Sequence, residues 1–328
     1  MISTTRITDK LRGGYYTTPE VAAWLSEWAV QTCNDRVLEP SCGDGVFLLA
    51  AARQLLSLGA SPDQIAAQLD GIELFDQEAR EAGERLRSFL RAPGVTVHCA
   101  DFFDWLEVDR DTPYDCVLGN PPFIRYQNFP EPSRTKAMTL LRNLGLKPNR
   151  LTNIWVPFVA GAASTLREGG RLGMVLPAEL LQVSYAAQLR SFLVDHFAQI
   201  TVVTCNEMFF RGAQQEVVLL LASGYSRECA PHHVCSIDVA EMPDIDSVLR
   251  SSSRKVLRRN REKKILHDGE KWLKYFLEPK EIDLLRELRS ASTVAVLGRF
   301  ASVDIGVVTG RNDFFVLRPS TCLLYTSD

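Results

Sequence analysis

Tyr114-Asp115-Cys116-Val117-Leu118-Gly119-Asn120-Pro121-Pro122-Phe123 is the stretch on which the reading of this chain turns. Its first six residues form a short apolar run, the pattern of a buried strand. Asn-Pro-Pro ends that strand. Proline gives a sheet no N–H and pushes the residue before it out of helical geometry. Asn120 and Pro121 therefore fall in an extended loop at a strand's carboxyl end, where open α/β sheets bind ligands. Two acceptors sit together there, the Asn120 side-chain oxygen and the Pro121 carbonyl. An exocyclic amine conjugated to a ring is planar and a poor nucleophile. Hydrogen bonds from its NH2 to both acceptors would favour the pyramidal form, whose lone pair can attack. Phe123 would stack on the flat ring. Such catalysis rests on positioning and fixed dipoles. The plain alternative is an Asn-Pro turn closing a strand, with Phe123 in the core.

Upstream, three more apolar runs end in polar residues. Arg36-Val37-Leu38-Glu39-Pro40-Ser41-Cys42-Gly43-Asp44-Gly45 reads as strand and glycine turn, followed by a helix from Val46. The turn lacks the dinucleotide G-x-G-x-x-G spacing. Glu39 and Asp44 beside it repel pyrophosphate and suit a ligand with a positive group, such as an amino acid. Leu69 to Glu73 reads as a second strand whose terminal acid can accept both hydroxyls of a ribose. Val95 to Cys99 is a third, closed by Asp101 and Phe102, an acceptor and a ring suited to adenine. Four strands each ending this way make a stronger case for a site than any one of them. Before all of them, Tyr15-Tyr16-Thr17-Thr18-Pro19 leads into a helix with Thr18 as N-cap. Val21, Trp24, Leu25 and Trp28 mark that helix's core face.

Downstream, residues 124–153 read as a proline-bearing loop region with one short helix. A helix is expected over 154–166, strands over 171–176, 200–205 and 215–221, and a helix over 185–197. The pattern weakens from Ala230. A helix is expected over 272–288, then the opening of a β-containing domain over 299–317.

The chain has 328 residues, 46% hydrophobic and 23% charged, with net charge −3, so it is not a basic nucleic-acid binder as a whole. Its basic residues cluster instead. One group follows the central motif (Arg125, Arg134, Lys136, Arg142, Lys147, Arg150). The other spans Arg250 to Lys264 and includes Arg258 and Arg259. Both suit a polyanion, or a solvated face. No apolar run approaches the roughly 20 residues of a membrane helix, and no signal-peptide core directs the chain out of the cytosol. The eight cysteines and five histidines lack ligand spacing, so no metal site is expected.

These residues together resemble the N6-adenine DNA methyltransferases of restriction-modification systems, in the class whose cofactor motifs come first and whose target-recognition domain comes last. The resemblance covers roughly residues 13 to 318. It implies a Rossmann-like α/β fold, with a seven-stranded mixed sheet, helices on both faces and a partial C-terminal domain. It assigns S-adenosylmethionine to Tyr16, Thr17 and Thr18, to the turn Glu39, Pro40, Ser41, Cys42, Gly43, Asp44 and Gly45, to Glu73 and Leu74, to Asp101 and Phe102, and to Asn120. It makes Asn120, Pro121, Pro122 and Phe123 the catalytic tetrapeptide. Phe here replaces the more frequent Tyr, keeping the ring and losing a hydroxyl. Phe209 or Phe210 would sandwich an extruded base, and Arg125, Arg258 and Arg259 would line a cleft for double-stranded DNA. Residues 303–315 resemble the start of a recognition domain of type IIG-like members.

The expected organisation is a catalytic domain over 1–228, a basic linker and helical extension over 229–290, and an incomplete recognition domain over 291–328. A nuclease is expected only from a missing segment or a partner endonuclease. Three other readings compete: a core fragment that binds cofactor without sequence choice, a methyltransferase of protein glutamine or of RNA, and a nicotinamide dehydrogenase.

Overall fold

Strand β4, Tyr114–Gly119, lies at the centre of the sheet. Its partners explain its composition. It pairs in parallel with β1 (Val37–Glu39) on one side and β5 (Leu166–Pro177) on the other. Helices cover both of its faces, so nearly every residue of β4 is buried. A parallel strand covered twice reads as a continuous apolar run rather than an alternation. In the computed structural model, the described residues are 17–108, 113–205, 216–228, 235–251, 263–264 and 271–302. Tyr16, Phe209, Phe210, Arg258, Arg259 and residues 303–315 lie outside them.

The chain divides into two units, Met1–Leu277 and Glu278–Asp328. In the first, β2 is Leu69–Glu73, β3 Val97–Cys99, β6 Phe197–Cys205 and β7 Val217–Tyr225. The order β3-β2-β1-β4-β5-β7-β6 is the expected seven-stranded mixed sheet, with β7 antiparallel to both neighbours. Two strands extend it. β8, Ser236–Met242, pairs in parallel with β6, and the two-residue β9, Lys263–Lys264, pairs with β8. The sheet therefore continues past residue 228, where a linker was expected. Ile237, Val239 and Ala240 bury against it; Ser236, Asp238 and Glu241 break up so short an apolar run.

Helix α1, Pro19–Ala29, begins as its sequence requires, with the Thr18 hydroxyl accepting from Val21 N. It packs with α2 (Val46–Ser57) and α4 (Asp76–Leu90) over one face, where Cys116 and Leu118 of β4 point; α3 is Pro62–Gln68. The other face carries α5 (Phe102–Val108), α6 (Ser133–Asn143), α7 (Trp155–Ser164) and α8 (Ala187–His196). Gly161 lets α7 approach α5, since a Cβ there would lie 2.9 Å from Leu106 and 3.3 Å from the Phe102 ring. The region after the motif holds an eleven-residue helix, α6, more order than its prolines indicate. Short α9, Ile245–Arg250, follows β8.

The expected helix over 272–288 is two pieces. A 3-10 turn, Trp272–Phe276, closes the first unit, and α10, Pro279–Ser290, opens the second. Pro279 takes the first helical position, where its missing N–H costs nothing. Among the described residues no helix is long and apolar enough to cross a membrane.

Candidate functional site

The sheet's order reverses between β1 and β4: the chain leaves β1 toward β2 and returns to β4 on the other side. A crevice opens at such a point, outside the carboxyl ends of the strands. Here it is a cleft of about 420 Å³, within the usual range for ligand sites. The four strand-end residues all line it: Glu39, Glu73, Asp101 and Asn120. So do Thr17, Pro40, Ser41, Cys42, Gly43, Asp44, Leu74, Phe102, Pro121 and Pro122. Thr18 and Gly45 stand outside the lining. Thr18 is exposed and caps α1, while Gly45, at φ +80°, is the turn that starts α2. Phe123 is half-buried against the hydrophobic core and Arg125 is exposed; neither lines the cleft.

The acids are tied to the backbone of the site. Glu39 is 2% exposed, and its Oε2 accepts from Leu48 N in the first turn of α2 at 3.0 Å. Burial lifts its carboxyl well above the ordinary glutamate value, and the charges of Asp44 and Glu73 add to the rise. Glu73, 8% exposed, uses both oxygens: Oε2 accepts from Gly43 N at 2.9 Å and Oε1 from Phe75 N at 3.0 Å. Burial raises its pKa too, partly offset by those two N–H groups. Gly43, at φ +51°, has open space where a Cβ would stand, so the turn presents bare backbone to the cleft. Asp44 is not an uncompensated charge. Arg85 of α4 donates to its Oδ2 at 2.6 Å and to its carbonyl at 3.1 Å.

Asp101 Oδ1 accepts from Phe103 N at 2.7 Å, and its Oδ2 accepts from the Ser133 hydroxyl at the start of α6. Asn120 Nδ2 donates to Thr17 Oγ1 at 3.2 Å, which fixes the rotation of the amide. The Ser41 hydroxyl donates to the Asn120 carbonyl at 3.4 Å, joining the two loops across the sheet's reversal.

Sequence reasoning missed the opposite wall. Phe103, Phe129 and Phe158 join Phe102 there. Phe158 stacks on Phe102 with centroids 5.1 Å apart and meets Phe103 edge-on at 4.9 Å. Phe158 sits in an apolar helix and reads as core, so its pattern carries no sign of the cleft. Phe75 did carry one, an aromatic two residues past the strand-ending acid; it is exposed and lines the mouth. Arg85 and Ser133 carry none, because their partners are distant in sequence.

An acidic floor beside a bare glycine turn, facing an aromatic wall, fits a ligand with a cationic amino-acid end and a flat heterocycle. The family described as Eco57I restriction-modification methylase matches residues 59–210, and that of the C-terminal domain of Type II methyltransferase M.Eco57I matches residues 269–326. The chain belongs to the restriction-modification methylases. It is 25% identical over 206 residues to Type II methyltransferase M.PaeR7I of Pseudomonas aeruginosa, covering 57% of this chain and 35% of that one. It is 22% identical over 322 residues to M.AccI of Acinetobacter calcoaceticus, covering 96% and 54%. This methylase chain thus spans between about a third and a half of the curated relatives it matches.

Solved structures share the fold. A DrdV–DNA complex superposes with TM-score 0.62 at 12% identity, over 82% of this chain and 32% of that one. A protein of Listeria monocytogenes described as a class I S-adenosylmethionine-dependent methyltransferase gives 0.55 at 18%, over 75% and 71%. The methylase has the Rossmann-like fold of that enzyme class.

Proposed function

We propose that this chain carries the catalytic centre of a site-specific DNA methyltransferase that acts on N6 of adenine drawn out of a duplex. The observation that carries the proposal is the placement of Asn120 and Pro121. They line the same cleft as Glu73, Asp101 and the glycine turn, at the reversal of the sheet. S-adenosylmethionine, when bound, supplies an electrophilic methyl group. The residues present fit it. Glu73 holds the ribose hydroxyls on the lone pairs its backbone partners leave, since each carboxylate oxygen offers two. Asp101 takes the adenine amino group and the phenylalanine wall takes the ring. The Gly43 turn, with Glu39 and Asp44 behind it, faces the amino-acid end.

The acceptor amine then meets Asn120 Oδ1 and the Pro121 carbonyl. Thr17, holding Nδ2, turns Oδ1 toward the target. Two fixed acceptors on one NH2 group raise its lone pair out of conjugation, and this needs no strong base because the proton leaves after attack. A base inside a duplex cannot reach the cleft, so it is extruded, and Phe123 stacks on it. Phe209 or Phe210 is assigned to the base's other side from the sequence alone; the described strands before and after them, β6 and β7, end and begin at the same end of the sheet as Asn120. Exposed Arg125, and Arg258 and Arg259, meet DNA phosphates.

Methyl transfer from labelled S-adenosylmethionine to mixed-sequence duplex DNA, followed by digestion to nucleosides, tests the reading. Label in N6-methyladenine is expected. Label only in N4-methylcytosine, or only in protein or RNA supplied as acceptor, overturns it.

A further inference from the structure

We infer that Leu151 is a wedge that enters the DNA stack when the target base is withdrawn. The inference rests on the DNA reading above and deepens it. Single exposed aliphatic residues are ordinary on a protein surface. Leu151 differs in how it is held. It is 72% exposed, yet the residues around it are fixed. Leu146 is buried on one side, and Thr152, Asn153 and Ile154 are buried on the other.

The turn between them is closed by its own polar groups. Asn149 N donates to Thr152 Oγ1 at 3.0 Å, Leu151 N to Asn149 Oδ1 at 2.8 Å, and Thr152 N to the Asn149 carbonyl at 3.0 Å. Gln188 of α8 clamps Lys147 from both sides, accepting from its N–H and donating to its carbonyl. A loop pinned so closely still places one large aliphatic side chain in solvent.

Its position gives the reason. Ile154 N donates to the Ile124 carbonyl at 3.0 Å, and Ile124 follows Phe123 directly. Leu151 is three residues from that strap, a reach of roughly 10 Å from the catalytic loop. Exposed Lys147 and Arg150 belong to the same loop, and exposed Arg125 directly follows Ile124, so all three are candidates for phosphate contacts. An aliphatic tip with basic residues nearby in the chain is the combination proteins use to enter and unstack base steps. The gap left by an extruded adenine would take the Leu151 side chain, which disfavours return of the base.

The test uses the full chain and randomised-sequence duplexes in which 2-aminopurine replaces adenine; its fluorescence rises when the base leaves the stack. Binding is followed separately by anisotropy. The wild-type chain raises the fluorescence on binding. Leu151→Ala still binds but shows only about a tenth of that gain, and Leu151→Met, which restores length, recovers it. A Leu151→Ala gain equal to wild type overturns the wedge and leaves the methyltransferase reading standing, whereas wild-type binding with no gain overturns base extrusion and the wedge with it. No DNA binding by the wild-type chain overturns that reading and the wedge with it.

Discussion

Glu73→Gln separates the two tasks that one carboxylate performs. Each Glu73 oxygen already accepts one backbone N–H, from Gly43 and from Phe75. Each has a second lone pair, and a ribose offers two hydroxyl donors to those. Glutamine turns one oxygen into an NH2 group. That removes one hydrogen bond to the ligand, which for a charged acceptor contributes about 1.5–3 kcal/mol. The dissociation constant for S-adenosylmethionine should rise roughly 10- to 150-fold. Inside the protein the effects oppose each other. One backbone N–H loses its acceptor, costing about 1–3 kcal/mol, while a carboxylate whose charge burial disfavours is removed. Thermal unfolding should therefore move by only about a few degrees. Titration calorimetry with S-adenosylmethionine, beside a melting curve, reads both quantities. Unchanged affinity would refute the ribose role. A weakened affinity accompanied by a collapse in melting temperature would show that Glu73 acts only by holding the turn.

Asn120→Ala should leave S-adenosylmethionine affinity within about twofold while methyl transfer falls by about 100-fold or more; equal loss of both would make Asn120 a structural residue. Glu39→Gln keeps an acceptor for Leu48 N and removes a charge that the fold penalises. The wild-type Glu39 carboxyl has a raised pKa in the folded state, so the stability it contributes is present at low pH and lost as pH rises through that value. The variant should melt higher than wild type near about pH 8, with the gap closing toward about pH 5. A gap that widened with acid would reverse the sign and refute the argument.

Much of this site was legible because four strands carry the same signature. Leu69–Glu73 matches the expected strand residue for residue, and β4 ends where Asn120-Pro121 requires. These features are local: an apolar run, then a residue that ends it. The unread parts depend on contacts between distant residues. Asp44 reads as an uncompensated acid until Arg85, 41 positions away, is seen beside it. Phe158 becomes a wall of the cleft only because Gly161 brings α7 onto α5. Ser236–Met242 is a strand because β6 offers it an edge, not because its own sequence alternates cleanly. The helix boundary at Pro279 was readable and outweighed by apolar residues on either side of it.

The glycine turn also decides between a methyl donor and a dinucleotide. A pyrophosphate needs the free N–H groups at a helix N-terminus and the positive end of its dipole. Here two donors at the turn are already engaged by acids. Leu48 N, in the first turn of α2, donates to Glu39, and Gly43 N donates to Glu73. A phosphate at this turn would lie beside both of those carboxylates and Asp44. Arg85 does not rescue it, since its guanidinium already pairs with Asp44 at 2.6 Å. A cationic ligand meets the opposite balance, because its charge favours ionisation of the acids that burial has lifted. NADH fluorescence in the presence of the chain should therefore stay unchanged up to about millimolar concentrations, while S-adenosylmethionine binds. Micromolar NADH binding that S-adenosylmethionine displaces would show that the turn's donors are available after all, and would refute this reading of the acids.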